Sequence, residues 1–339
     1  MSTKKYILSI CLLLFAGGLL AYFVYGYYTP REPVRVLLGG DIYAGNRIKE
    51  DLTEKGPAYF VGPLAEITKN ADLHLANLES PITRFDTTTV KKRYLLSSAP
   101  EVAGTVLSSL GVDGVSLANN HIMDYGPLGL LHTFEYLNKA GIKYAGAGAN
   151  REHAERAAVF ERRGRKIALL AFSNTFPRSF WSEERKHGTA FGALGRVKKR
   201  VEEESAISDH LIVSFHWGSE KDTIPQTYQR NLARAAIDAG ADVVFGHHPH
   251  VLQPVEKYRG KYIFYSLGNY FFTTKTNNVQ YGLLVDLTLG DSPASPKYHL
   301  ININNFQVNY RPHLVRTFEE PHLLAAYIKE NGSLRLARK

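Results

Sequence analysis

Five times along the chain, a short apolar run gives way abruptly to polar side chains suited to binding an ion or an anion. Residues 34–38 are apolar apart from Arg35 and end in Gly39-Gly40-Asp41. That pattern predicts a buried strand followed by a tight turn that carries a carboxylate. Residues 71–78 predict a second strand, with Asn77 and Glu79 at its end and the turn residues Ser80-Pro81 behind. A third, 113–118, runs into Asn119-Asn120-His121, with Asp124 close by. Residues 211–215 end in His216-Trp217-Gly218-Ser219-Glu220, and residues 241–245 in Gly246-His247-His248-Pro249-His250. Further strands are expected over 143–147, 166–173 and 262–265, the last leading into Ser266-Leu267-Gly268-Asn269. Residues 281–289 and 298–310 alternate like antiparallel strands.

Helices are expected between these runs. Residues 58–69 form one, and residues 100–110 another, closed by Gly111. Pro127 and Gly141 bracket a third, with Leu130, Leu131, Phe134 and Leu137 at helical spacing. A charged helix covers 196–204, and Pro225 and Gly240 bracket another. Residues 176–195 read as a long polar loop with Trp181, lying beside a site or mobile. Alternating strands and helices imply an α/β fold with a largely parallel sheet and helices on its faces. In such sheets ligands collect outside the carboxyl ends of the strands.

The amino terminus has a different pattern. Residues 1–5 are short and basic, and residues 6–28 carry no charge. About 20 apolar residues cross a bilayer as a helix. Tyr22, Tyr25, Tyr27 and Tyr28 suit an interfacial belt, and Lys4 and Lys5 favour a cytoplasmic amino terminus. The expected organisation is a cytoplasmic start (1–5), a transmembrane signal-anchor (6–28), a linker (29–33), one domain (34–316), and a carboxy-terminal helix and basic tail (317–339). This places the protein at the cell membrane as a single-pass protein with its domain extracytoplasmic. The rival is a cleaved signal peptide, but no small-x-small cleavage site ends the run.

Composition narrows the picture only a little. With 339 residues, 44% of them hydrophobic, there is enough chain for a large core. The single cysteine, Cys11, excludes an intramolecular disulfide framework. The net charge of +9 suits a membrane surface or an anionic partner. Basic runs such as Lys198-Lys199-Arg200 are flanked by acidic residues and read as solvated surface. No nucleic-acid motif is present.

The chemistry lies in the matched positions. Singly, Asp41 reads as a turn residue, Asn119-Asn120 as a turn, and His216 beside Trp217 as a packed histidine. Together they place carboxylates, amides and imidazoles at corresponding strand ends. A mixed oxygen and nitrogen ligand set suits manganese, zinc, iron or magnesium. It offers more ligands than one tetrahedral zinc takes. Two divalent metal ions sharing a carboxylate is the simplest arrangement, and such sites stabilise in-line displacement at phosphorus. His74, His132, His153 and His187 have no partner motif and read as surface or packing residues.

Six ordered motifs carry a family resemblance: Gly40-Asp41 with Arg47; Asn77-Leu78-Glu79-Ser80-Pro81; Ala118-Asn119-Asn120-His121 with Asp124-Tyr125-Gly126; His216-Trp217-Gly218-Ser219-Glu220; Gly246-His247-His248-Pro249-His250; and Tyr265-Ser266-Leu267-Gly268-Asn269. Over roughly residues 35–270 the chain resembles the CapA-type capsule-biosynthesis proteins. These are linked to poly-γ-glutamate synthesis and belong to the calcineurin-like metallophosphoesterase superfamily. The resemblance implies a four-layer sandwich of two mixed β-sheets flanked by helices. It implies Asp41, Glu79 and His250 as ligands of a first metal. It also implies Glu79, Asn120, His216 and His248 as ligands of a second. His121 would protonate the leaving oxygen or donate to the phosphoryl group, Asp124 would orient it, and Arg47 would contact a phosphoryl oxygen. Asn77, Asn119, Glu220, His247 and Asn269 would support the ligands or meet substrate. Two positions depart from the wider superfamily: Tyr43 stands where a histidine ligand is usual, and Asn77-Leu78-Glu79 replaces an aspartate motif. The expected function is a metal-dependent phosphoesterase-type hydrolase in capsule or exopolymer biosynthesis, acting on a phosphoester or anionic polymer beside other membrane subunits. The alternatives are a non-catalytic assembly or export subunit with a vestigial metal site, and a general phosphatase or nucleotidase.

Overall fold

A computed structural model of the chain describes Phe15 and residues 31–291 and 296–332. Among the described residues no helix is long and apolar enough to cross a membrane. The expected anchor lies outside them, apart from Phe15, as does the end of the basic tail.

Among the described residues sixteen strands run from β1 to β16. They are β1 (Val34–Tyr43), β2 (Leu73–Leu78), β3 (Gly114–Ser116), β4 (Lys143–Ala145), β5 (Ala147–Gly148), β6 (Ala158–Arg162), β7 (Arg165–Ser173), β8 (Gly188–Thr189), β9 (His210–His216), β10 (Val243–His247), β11 (Val255–Tyr258), β12 (Lys261–Phe264), β13 (Asn269–Phe272), β14 (Tyr281–Leu289), β15 (Lys297–Asn302) and β16 (His313–Phe318). The first sheet has the order β16-β15-β14-β1-β2-β3-β4, with β13 also pairing with β1. The second has the order β11-β12-β10-β9-β7-β6. Both are mixed. β1 to β4 and β7-β9-β10-β12 pair in parallel, and the outer strands pair antiparallel.

Alternation of side chains builds the layers. Val36, Leu38 and Leu75 of the first sheet meet Ile167, Leu169, Ile212 and Phe245 of the second in one core between the sheets. The opposite face of the first sheet, with Leu37, Ala76 and Leu78, packs on Val106 and Leu107 of the Pro100–Leu110 helix and Leu130 of the Gly126–Ala140 helix. The opposite face of the second, with Leu170, Phe172 and Val213, packs on Val197 and Val201 of the Leu194–Ser205 helix and Ala233 and Ile237 of the Thr227–Asp238 helix. The result is helices, sheet, sheet, helices.

Two expectations are corrected. The helix over 58–69 is broken into Pro57–Val61, a 3-10 turn Gly62–Leu64, and Ala65–Thr68. Pro63 lacks the amide a continuous helix needs, and its ring clashes with the preceding turn. The strand expected to reach Tyr310 ends at Asn302, where Asn304 caps the short Asn305–Val308 helix by accepting from Phe306 N. The strand β16 ends at Phe318, and Phe318 and Leu324 enter the core between the sheets.

Candidate metal centre

The parallel pairings fix where each polar cluster ends. Asp41 is level with Asn77 across β1 and β2 and with Asn269 across β1 and β13. His216 is level with His247 across β9 and β10. The first sheet therefore supplies Asp41, Asn77, Glu79 and the loop after β3, and the second supplies His216 and the histidine triplet. The site spans the carboxyl edges of two sheets rather than one. Close approach makes this possible at Gly40, where a Cβ would lie 1.9 Å from Gly268 O.

Two groups of side chains converge there. Asp41, Glu79 and His250 form one, and Glu79, His216 and His248 the other; within each, one ligand atom per residue lies within 4.8 Å of the rest. Glu79 is common to both. It is wholly buried, and neither carboxylate oxygen has a hydrogen-bond partner. Its Oε1 lies 3.5 Å from His216 Nε2 and 3.8 Å from His250 Nε2. Burial, and next the neighbouring Asp41, push Glu79 well above the usual carboxylate range. An unpaired buried carboxylate is costly by itself and is expected where a cation binds. His248 Nδ1 is likewise buried without a partner. The donor set of carboxylate oxygens, imidazole nitrogens and the Asn120 amide fits a divalent ion.

The surrounding hydrogen bonds hold these donors in place. His250 Nδ1 meets Asn269 Oδ1 at 2.8 Å, which aims Nε2 at Glu79. His216 Nε2 is 2.8 Å from Asn120 Oδ1. Asn77 Nδ2 donates to Asp41 Oδ1 at 2.9 Å, and Asn77 Oδ1 accepts from Asn119 Nδ2. Asn119 also donates to Leu78 O and accepts from the backbone amides of His121 and Ile122. His247 is fully buried, with Nδ1 2.9 Å from Asp41 Oδ1 but without hydrogen-bond alignment. It lies behind Asp41.

Charge follows this arrangement. Burial alone would raise Asp41, but His247 and His250 hold it well below the carboxylate range. Burial opposes a charge on His250, yet Glu79 and Asp41 together lift it to about 10. Burial, then His248, pushes His216 far down, and burial, then His250, pushes His248 to about 3. Asp41 and Glu79 thus favour the protonated form of His250, whose proton a cation would displace, while His216 and His248 favour the neutral form that metal ligation requires. His248 and His250 also have positive backbone φ, 93° and 58°. Side chains with a Cβ are strained there, and such strain clusters at functional sites.

His121 and Asp124 form a separate pair. His121 Nδ1 is 2.6 Å from Asp124 Oδ2. Two expected residues lie apart from the cluster. Arg47 is exposed, with Nη1 3.5 Å from Tyr310 Oη, and Glu220 is exposed. Tyr43 packs in a tilted arrangement on Phe272 at 5.3 Å, the Phe272 ring is 5.0 Å from His250, and the Tyr43 hydroxyl end lies against Gly45. Lys92 was missed. Its ammonium is 2.8 Å from Asp124 Oδ1 and 3.0 Å from His121 Nδ1. Within Lys91-Lys92-Arg93 it reads as surface charge, and no spacing in the sequence separates it from its neighbours.

A sequence profile for bacterial capsule synthesis protein PGA_cap matches residues 35–274. The capsule biosynthesis protein CapA of Bacillus anthracis is 31% identical over 271 residues, covering 78% of this chain and 66% of that protein. The PGA biosynthesis protein CapA of Bacillus subtilis (strain 168) is 32% identical over 251 residues, covering 72% of this chain and 66% of that protein. The match thus spans just under two thirds of each relative. Among solved structures, the Thermus thermophilus sulfate thiohydrolase SoxB shares 12% identity at a TM-score of 0.45, covering 85% of this chain and 50% of that one.

Proposed function

The chain belongs to the bacterial capsule synthesis protein PGA_cap family, and from that premise we propose that it is a metal-dependent hydrolase of capsule or exopolymer biosynthesis. In this reading it is anchored by residues 6–28 with its domain outside the cytoplasm. It acts on a phosphoester or related ester linked to an anionic polymer such as poly-γ-glutamate. The observation that carries the reading is Glu79, a fully buried carboxylate with no hydrogen-bond partner, shared by two groups of ligand-type side chains.

Asp41, Glu79 and His250 would hold one divalent ion, and Glu79, His216, His248 and Asn120 a second. Bound there, such ions make water acidic enough to attack near neutral pH and polarise a phosphoryl oxygen. The chain's own residues do the rest. Asn269 orients His250. Asp124 accepts a hydrogen bond from His121 Nδ1–H, which leaves Nε2 free for substrate. As water attacks phosphorus and the bond to the leaving oxygen breaks, protonated His121 gives its Nε2 proton to that oxygen. The proton lost by water passes to solvent. Burial, partly offset by Asp124, lowers the His121 pKa, so the protonated form is reached only at lower pH than for a free imidazole.

The test is metal analysis of the full-length chain after manganese or zinc loading, with hydrolysis of an aryl phosphate. Bound metal, and loss of both binding and rate in His216→Ala and His248→Ala, is the expected result. Metal binding without hydrolysis would favour the assembly role. Neither binding nor hydrolysis would end the enzyme reading.

A further inference from the structure

One half-buried cation, Lys92, has no part in the chemistry so far. Lys92 lies between Ile82 and Ser98, which bridge to each other at the two ends of the segment. Its side chain is 18% exposed. The ammonium donates to Asp124 Oδ1 and to Asn120 O, and sits 5.7 Å from the Phe180 ring. Burying an ammonium is costly, and burial does lower the Lys92 pKa, against the pull of Asp124. The segment does not need this cation to stay attached. Leu96 N donates to Asp124 Oδ2 and Thr88 Oγ1 to Asp124 O.

The two oxygens of Asp124 are divided between partners. Oδ1 takes Lys92, while Oδ2 takes His121 Nδ1 and Leu96 N. A carboxylate only accepts, so at 2.6 Å the proton lies on Nδ1. The lysine hydrogens are then directed to Asp124 and the Asn120 carbonyl, not to the ring. Asn120 is also the residue whose amide meets His216. One side chain thus fixes both the carboxylate that orients His121 and the backbone that presents Asn120.

We propose that Lys92 is a positioning residue: by pinning Asp124 and the Asn120 carbonyl, it keeps the neutral His121 ring in the Nδ1–H form, so that the second proton the ring takes up sits on Nε2 and is the one given to the leaving oxygen. The catalytic part of this rests on the hydrolase reading; the tautomer part does not. The experiment compares full-length wild type, Lys92→Met and Lys92→Arg in two measurements. Long-range proton–nitrogen correlation on histidine-labelled protein reports the His121 tautomer. The kcat for p-nitrophenyl phosphate, set against that for an alkyl phosphate, reports dependence on leaving-group protonation. Wild type is expected to show Nδ1–H, and Lys92→Met a mixture of tautomers. In Lys92→Met, kcat for the alkyl ester falls about 10- to 100-fold, part of the range general acids contribute. For the nitrophenyl ester, whose leaving group needs no proton, it changes by less than about threefold. Lys92→Arg keeps both signals near wild type. A Lys92→Met chain with unchanged tautomer and an unchanged ratio between the esters overturns the proposal. If wild type hydrolyses neither ester, the hydrolase reading fails, and the tautomer alone decides the role of Lys92.

Discussion

Replacing Glu79 by glutamine changes charge and almost nothing of shape, and it should move stability in opposite directions with and without metal. The carboxylate is wholly buried, lacks any hydrogen-bond partner and has Asp41 beside it. Its pKa is raised in the folded chain, so the native state holds the proton more tightly than the unfolded one does. Glu79 therefore costs stability increasingly as pH rises from the unfolded value towards the folded one. Replacing a buried ion pair by well-packed neutral side chains is often neutral or stabilising by about 1–4 kcal/mol. The glutamine amide still lacks partners and the attraction to His250 is lost, so the low end, about 1–2 kcal/mol, is expected. At roughly 2 °C per kcal/mol for a chain this large, the variant should melt about 2–4 °C higher in EDTA. With metal the order reverses. An ion at 100 times its Kd stabilises the native state by about 2.7 kcal/mol. Wild type should then gain about 5 °C, and the variant, lacking the shared ligand, less than about 2 °C. The assay is calorimetry of both chains at pH 7.5 in EDTA and in manganese. A variant that melts below wild type in EDTA, or gains as much from manganese, refutes the reasoning.

Three further outcomes follow from other parts of the structure. His248 has φ 93°, so His248→Gly should unfold in urea with about 1 kcal/mol more stability than His248→Ala, both in EDTA; equal values would mean the backbone is not strained. His74 is fully buried, with Nδ1 bonded to Leu110 O, and burial pushes its pKa down to about 4. The unfolded chain takes up that proton near pH 6.5, so stability present above that pH is lost as pH falls towards 4. This amounts to about 3 kcal/mol, and it should be missing from the pH dependence of His74→Phe measured by urea unfolding. Asn119→Ala removes hydrogen bonds to Asn77, Leu78, His121 and Ile122. It should cost about 3 kcal/mol and weaken metal retention, since the same loop presents Asn120; a stable variant with full metal content would show that the brace is dispensable.

Local signals were legible in the sequence where a single residue dictates a backbone state. Pro100 and Gly111 bound one helix, and Pro127 and Gly141 another, with both glycines left-handed. The apolar runs marked β1, β2, β9 and β10, because a buried parallel strand carries apolar residues on both faces. Pro63 was equally visible as a breaker within 58–69, but the apolar spacing around it masked the signal. The site was legible to the extent that polar residues closed those strands. Its assembly across two sheets was not, because β13 pairs with β1 and thereby sets Asn269 beside Asp41, a contact spanning most of the chain. The positive φ at His248 and His250 and the burial of Lys92 were hidden for a related reason. Both depend on what surrounds a residue in space, which neither periodicity nor residue type encodes.

The central claim is that Glu79 joins two cation sites. Anomalous diffraction from crystals of the full-length chain grown with manganese tests it directly. The account predicts two peaks, one on each side of the Glu79 carboxylate, the first among Asp41 and His250 and the second among His216, His248 and Asn120. A map with no peak there, and with Glu79 bonded only to protein or water, would contradict it.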